Sequence, residues 1–211
     1  AKALANELEK TNIERKEIQK ETFLEAESLL LNERNCENQR VIVLSSEIFH
    51  PGVIGIAASK IVEKYHRPTV LIAMEKGIGK GSGRSIPRFN LFKAFTNCSN
   101  HLVQFGGHAY AAGLTIEEKS IDLFREAINE VGHQYLTDED LIPEIRIDTI
   151  LDLSQVGFEL YSNISLLEPF GAENPTPSFQ SNKIKIRELK FIGKEKNHVR
   201  FKAFQEGAQI E

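Results

Sequence analysis

Two apolar runs, Val41-Ile42-Val43-Leu44-Ser45-Ser46 and Thr69-Val70-Leu71-Ile72-Ala73-Met74, constrain the fold of this chain more than anything else in it. Each is short, rich in β-branched residues and apolar without alternation, the pattern of a strand buried on both faces. Between them Gly52 to His66 reads as a helix carrying Val53, Ile54, Ile56, Ile61 and Val62 on one side, and Arg67-Pro68 ends it. A strand, a helix and a strand within about 35 residues form a right-handed crossover joining two parallel strands.

The rest of the pattern extends this α/β centre. Lys80 to Ile86 reads as a third strand, Asn90 to Val103 as a helix, Ala109 to Ile116 as a strand and Glu117 to Tyr135 as a helix. Residues 41–136 are therefore expected to form one α/β domain with a mixed, mostly parallel sheet. Upstream, Leu4, Leu8, Ile13, Ile18, Phe23, Leu24, Leu29 and Leu30 recur at helical intervals with no Gly or Pro, so 1–38 reads as one long helix and 1–40 as a connector. Downstream, Thr137-Asp138-Glu139-Asp140 reads as an acidic linker opening a second domain, 137–211. In it Leu153 to Leu167 is expected to be helical and 168–177 a loop. Lys183 to Arg187 and Val199 to Phe204 alternate strictly, as half-exposed strands with one basic face do.

The 211 residues carry 26 Lys+Arg against 30 Asp+Glu, but the average hides two basic zones. Residues 41–116 hold 8 basic against 3 acidic side chains and 183–202 hold 8 against 2, while 136–182 hold 1 against 9. An acidic protein binds a polyanion when its positive charge is gathered on one face, although on charge counts alone solvated surface lysines explain the zones as well. The two cysteines, Cys36 and Cys98, exclude a disulfide framework and a Cys-rich zinc module, and fit a reducing compartment. No apolar run of about 18 residues is present, so no membrane-spanning helix is expected. The chain begins at Ala1 and its one methionine is Met74, which points to an excised piece of a longer protein.

Three polar, glycine-containing segments carry possible chemistry. His50-Pro51-Gly52-Val53-Ile54-Gly55 opens a helix, where free N–H groups favour an anion; equally, His50 and Pro51 make a turn and Gly55 lets the helix pack. Lys80-Gly81-Ser82-Gly83-Arg84-Ser85 offers a guanidinium fork and a hydroxyl for a phosphate, with glycines for close approach; it is equally a flexible hairpin tip. Gly106-Gly107-His108-Ala109-Tyr110-Ala111-Ala112-Gly113 places backbone N–H groups beside an imidazole.

The order His-Pro-Gly-x-x-Gly, Gly-Ser-Gly-Arg-Ser and Gly-Gly-His-x-x-Ala-Ala-Gly resembles the DHH-associated domain of the DHH phosphoesterases. The later segment Leu167-Glu168-Pro169-Phe170-Gly171-Ala172-Glu173-Asn174-Pro175-Thr176-Pro177-Ser178-Phe179 resembles the start of the oligonucleotide-binding (OB) domain of the RecJ family, single-strand-specific 5′→3′ exonucleases. Asn12, Glu14, Arg15 and Lys16 resemble the helix that leaves that family's catalytic domain. The resemblance implies an α/β fold: a long connector helix, the DHH-associated domain and a partial OB-like β-barrel with too few strands to close.

It also implies roles. Arg84 and Ser85 would hold a backbone phosphate. Gly106, Gly107 and His108 would face a metal centre and touch the terminal or scissile phosphate, His108 in support of catalysis, with His50 nearby. Lys183, Lys185, Arg187, Lys190, Arg200 and Lys202 would track the strand, with Phe191, Phe201 and Phe204 as stacking candidates. The family cleaves with manganese or magnesium, but the aspartates here (Asp122, Asp138, Asp140, Asp148 and Asp152) have no metal-ligand spacing with a His. No metal is therefore expected in this chain, which alone would bind single-stranded DNA without cutting it. A cytoplasmic role in DNA repair and recombination is implied, with single-strand-binding protein and a RecQ-type helicase as partners. The rival readings are a DHH phosphodiesterase acting on short oligonucleotides or cyclic dinucleotides, and a non-catalytic nucleic-acid or protein-interaction module.

Overall fold

The computed structural model describes residues 2–32, 39–193 and 195–210, so Cys36 lies outside the described residues. The chain divides into two compact units, the first ending at Pro143 and the second opening at Glu144.

The first unit begins with helix α1 (Lys2–Asn32). At about 1.5 Å per residue it is about 46 Å long. Only its last third packs: Thr22, Ala26 and Leu30 are buried, at the spacing of one helix face, while Leu4, Leu8 and Ile13 are exposed. Glu27 pairs with Lys64 and accepts from the Tyr65 hydroxyl at 3.2 Å, which pins α1 to the next helix.

Strand β1 (Ile42–Ser46), helix α2 (Ile54–Tyr65) and strand β2 (Thr69–Glu75) form the expected crossover, with Ile42 opposite Thr69 and Ser46 opposite Ala73 in parallel. Strand β3 (Ile78–Arg84), helix α3 (Leu91–Asn97), strand β4 (Gln104–Gly107), strand β5 (Ala111–Glu117) and helix α4 (Ile121–Tyr135) complete the unit. The sheet order is β1-β2-β3-β5-β4.

The sheet is mixed, but the expectation that parallel pairs predominate is corrected: only β1 and β2 run parallel, and the other three pairs are antiparallel. The cause is local. Lys76 and Gly77 both take positive φ, 51° and 79°, the conformation of a two-residue hairpin turn that reverses the chain at once. Strand β4 escapes the sequence pattern because two of its four residues are glycine, the residue type strands disfavour.

One face of the sheet is covered across its width. Val41, Val43, Val70, Ile72, Ala112, Leu114 and Ile116 pack there against Leu91 and Phe95 of α3 and Phe124, Ile128 and Val131 of α4. Phe95 meets Phe124 edge-on at 5.8 Å between ring centroids. The other face is covered over β1 and β2, where Ile42, Leu44, Leu71 and Ala73 pack against Ile54, Ala57, Ala58 and Ile61 of α2 and Ala26 and Leu30 of α1, and the first turn of α2 reaches Ser82 and Arg84 at the near side of β3.

The acidic run after α4 is folded rather than a free linker. The Thr137 backbone N–H and hydroxyl both donate to the Asp140 carboxylate, at 2.9 and 2.8 Å, and Arg88 approaches it at 3.6 Å. These hydrogen bonds, with Arg88 adding to them, hold the Asp140 carboxyl below its usual range. Leu136 and Leu141 are buried in the first core, so residues 137–143 pack with the first unit.

The second unit contains a two-stranded parallel pair, β6 (Thr149–Ile150) and β7 (Phe179–Gln180), and helix α5 (Phe158–Ser165). The helix expected over 153–167 is split, because a 3₁₀ turn at Leu153–Gln155 precedes α5. The loop after it is held by Asn174, whose side-chain amide donates to the Leu167 and Pro169 carbonyls at 2.7 and 3.1 Å. Gly171 and Asn174 also exchange backbone hydrogen bonds. Strands β8 (Lys185–Ile192), β9 (His198–Gln205) and β10 (Ala208–Ile210) form an antiparallel sheet in the order β10-β9-β8.

Candidate nucleic-acid interface

In the first unit the uncovered half of the sheet gathers the three polar segments. Partners across antiparallel strands share a face, so register sets its rows: Arg84 beside Ala111, then Ser82 beside Gly113 and Gly106, then Lys80 beside Thr115 and Gln104. No large apolar side chain stands on these rows.

Arg84 is half-buried on this face, and its side chain folds back along β3. Its Nη1 donates to Ser82 Oγ at 3.1 Å and to the Gly83 carbonyl at 2.8 Å. The guanidinium lies against the first turn of α2, where a Cβ on Gly55 would stand 2.7 Å from its Nη2. A side chain at Gly55 would press on the Arg84 guanidinium, and this close approach joins the first segment to the second. Among the described residues no carboxylate pairs with Arg84, so its remaining donors are free for an anion.

Other expectations are corrected. Gly81 and Gly83 do not serve close approach of a ligand: they face the covered side, where a Cβ would strike Leu114 at 2.7 Å and Leu91 at 2.5 Å. The Ser85 hydroxyl, expected to face a phosphate, donates inward to the Phe89 carbonyl at 2.7 Å, and its N–H donates to the Tyr110 carbonyl at 3.1 Å. Ser85 therefore ties the end of β3 to the turn that carries His108. The mouth of α2 is largely self-satisfied. The His50 carbonyl accepts from Val53 and Ile54, and His50 Nδ1 accepts from the Gly52 N–H at 3.1 Å. His50 thus closes the turn that leads into α2, with Nε2 left for an outside group.

The third segment divides in two. Gly107 has φ +142°, and a Cβ there would fall 2.5 Å from the Ala111 carbonyl oxygen, so the fold itself demands glycine. Gly106 has no atom within 4 Å of its would-be Cβ and faces open space. Gly107→Ala is expected to cost about 2–4 kcal/mol of stability, and Gly106→Ala less than about 0.5 kcal/mol. Urea unfolding of both variants checks this, and equal midpoints would refute the division. His108 follows, exposed, its N–H bonded to the Ala111 carbonyl at 2.8 Å. That pairing sets it at the level of Arg84, two strand spacings or roughly 10 Å across the sheet.

In the second unit the alternation of β8 and β9 sorts charge from hydrocarbon. Lys185 lies opposite Phe204, Arg187 opposite Lys202 and Lys190 opposite Arg200, all on one face. Ile186, Phe191, Val199 and Phe201 take the other, so of the three phenylalanines only Phe204 shares the basic face. Strict alternation would have sent Lys190 to the apolar side. A bulge between Arg187 and Lys190, with Glu188 at φ 55°, inserts one residue and brings Lys190 back beside Arg187.

Glu188 accepts from Lys202 at 2.6 Å, and that contact holds its carboxyl below the ordinary range. Arg187 lies 5.1 Å from the Phe204 ring centroid, a cation–π contact. Lys183 precedes the strand and joins Lys185 and Phe204 in lining a cleft of about 660 Å³.

Two family models match the chain: the DHHA1 domain over residues 38–134 and the RecJ OB domain over 147–211. This is a RecJ-like chain. It is 34% identical to the single-stranded-DNA-specific exonuclease RecJ of Bacillus subtilis, over 100% of the chain and 27% of the relative. It is 33% identical to that of Escherichia coli, over 92% and 34%. A crystal structure of RecJ with Mn²⁺ from Thermus thermophilus superposes with a TM-score of 0.80 at 26% identity, covering 98% of the chain and 30% of that structure. The RecJ-like chain thus spans about a third or less of the proteins it matches. All three glycine-containing segments fall within the DHHA1 match, and the basic face falls within the OB match.

Among its described residues, no group of three or more His, Cys, Asp or Glu side chains is placed to hold a metal ion. No described helix is long and apolar enough to cross a membrane. Cys98 is buried, which pushes its thiol up to about 11 and keeps it unreactive.

Lys80, which the sequence pattern includes in its segment without a role, stands on the same face of β3 as Arg84. Its signal was parity: counting back from Arg84 along a strand places Ser82 and Lys80 on the same face.

Proposed function

We propose that this chain is the strand-gripping part of a 5′→3′ single-stranded-DNA exonuclease that hydrolyses phosphodiesters with divalent metal ions held elsewhere, in DNA repair and recombination. The observation that carries the proposal is Arg84: a guanidinium with no carboxylate partner among the described residues, set where the first turn of α2 meets the uncovered part of the sheet, level with His108. Arg84 holds the terminal phosphate through its free donors. His108 adds an exposed imidazole at the same level, a hydrogen-bonding group where negative charge develops during cleavage. The basic face of the second unit holds further phosphates. Binding of this kind is salt-sensitive and indifferent to sequence. The RecJ OB match from 147 onward favours a single strand over a cyclic dinucleotide.

The test is binding of a fluorescent single strand and of a duplex at two salt concentrations. The single strand is expected to bind better, and Arg84→Ala to weaken it roughly tenfold or more through loss of a charge-assisted hydrogen bond. Equal binding of duplex, or an Arg84→Ala variant that binds like the wild type, would refute the reading.

A further inference from the structure

The bare half of the sheet continues beyond Arg84 as a shallow trough of about 380 Å³, lined by Lys80, Gln104, Gly106, Gly113 and Thr115 among others. Lys80, Thr115 and Gln104 form one row across three strands, an ammonium, a hydroxyl and a carboxamide side by side. Between that row and Arg84 lie Gly113 and Gly106. At Gly106 a Cβ would meet nothing within 4 Å, at Gly113 its nearest neighbour would be an ordinary 3.7 Å away, and neither residue has positive φ. Nothing in the packing requires glycine at either position. A sugar or base laid there reaches the main chain, which a side chain would prevent.

The charges flank this floor at a useful spacing. The Arg84 guanidinium folds back onto Ser82, two residues from Lys80 and so about 7 Å along the strand. That is close to one nucleotide of extended single strand. Beyond Lys80, Glu47 and Glu75 line the adjoining cleft and discourage a further phosphate on that line.

We infer that the trough seats the first nucleoside of a bound single strand, with Lys80 on the phosphate that follows it. This rests on the reading of Arg84 as the holder of the terminal phosphate, and it adds a second phosphate contact and a nucleoside seat to that site. Gln104 and Thr115 supply polar contacts at the far wall of the seat.

The experiment titrates 5′-phosphorylated thymidine mono- and dinucleotides into the wild-type chain and into Lys80→Ala, Gly113→Val and Arg84→Ala, by calorimetry or amide chemical shifts. Lys80→Ala is expected to weaken the dinucleotide about tenfold and the mononucleotide less than twofold, because only the dinucleotide has a second phosphate. Gly113→Val is expected to weaken both ligands, since it fills the nucleoside seat; thermal unfolding shows whether that variant stays folded, and Gly106→Ala is a second, smaller obstruction on the same floor. If Arg84→Ala weakens the mononucleotide but Lys80→Ala leaves the dinucleotide unchanged, the trough is not the strand's path and the inference falls while the role of Arg84 stands. If neither ligand depends on Arg84, both fall.

Discussion

Replacing Lys185, Arg187 and Lys190 together by glutamine is expected to weaken single-strand binding about a hundredfold at low salt, and to reduce the slope of log affinity against log salt by about 2. The three cations lie on one face of β8, kept together by the bulge at Glu188. All three are exposed, so their removal should leave stability within about 0.5 kcal/mol. Each phosphate contact on a single strand releases about 0.7 of a counterion, which is why three lost contacts change the slope as well as the affinity. Arg187 carries a second role, stacking on Phe204, so Arg187→Gln should cost more than Lys185→Gln. Anisotropy titrations at several salt concentrations decide the matter. A triple variant with the wild-type slope would show that the strand does not follow this face.

Phe124→Ala is expected to lower the stability of the first unit by about 3–5 kcal/mol, the usual cost of emptying a large aromatic from a tight core. Phe124 is fully buried and meets Phe95 edge-on, and Phe95 in turn meets Phe105 of β4 at 6.4 Å. The loss should therefore spread to β4, which carries Gly106 and Gly107 and leads into His108. Denaturant unfolding checks the stability, and amide exchange along β4 checks the spread. A loss below about 1 kcal/mol would mean that the core closes over the vacancy.

The parts of the fold set by hydrophobic pattern were legible in the sequence. The crossover from β1 through α2 to β2 follows from two unbroken apolar runs around one amphipathic segment, and the basic face of β8 and β9 follows from alternation. What alternation does not reveal is an insertion into it: the bulge that returns Lys190 to its neighbours rests on one residue of left-handed backbone at Glu188. Strand direction beyond β2 is not legible in the pattern, because Lys76-Gly77 is a turn of two residues within an otherwise ordinary polar stretch. The glycines were the hardest to read. Gly81, Gly83 and Gly107 are required by three different neighbours, and Gly106 by none, yet in the sequence they look alike. Ser85 and His50 were read as ligands to an anion because their types suit one. The Ser85 hydroxyl instead donates to Phe89 and His50 Nδ1 accepts from Gly52, which only the folded chain discloses.

The half-covered sheet has a consequence for how this unit behaves among other proteins. A flat β surface left open beside an edge strand is ordinarily an invitation to self-association. Here the open rows hold glycine, alanine, threonine and serine with two cations, and the edge strand β4 is only four residues long. Such a surface gives hydrocarbon little to adhere to and repels its own copy by charge. The small side chains on this face therefore give a second copy little to adhere to, and a leucine placed at Gly113 is expected to raise self-association, which sedimentation of the variant checks.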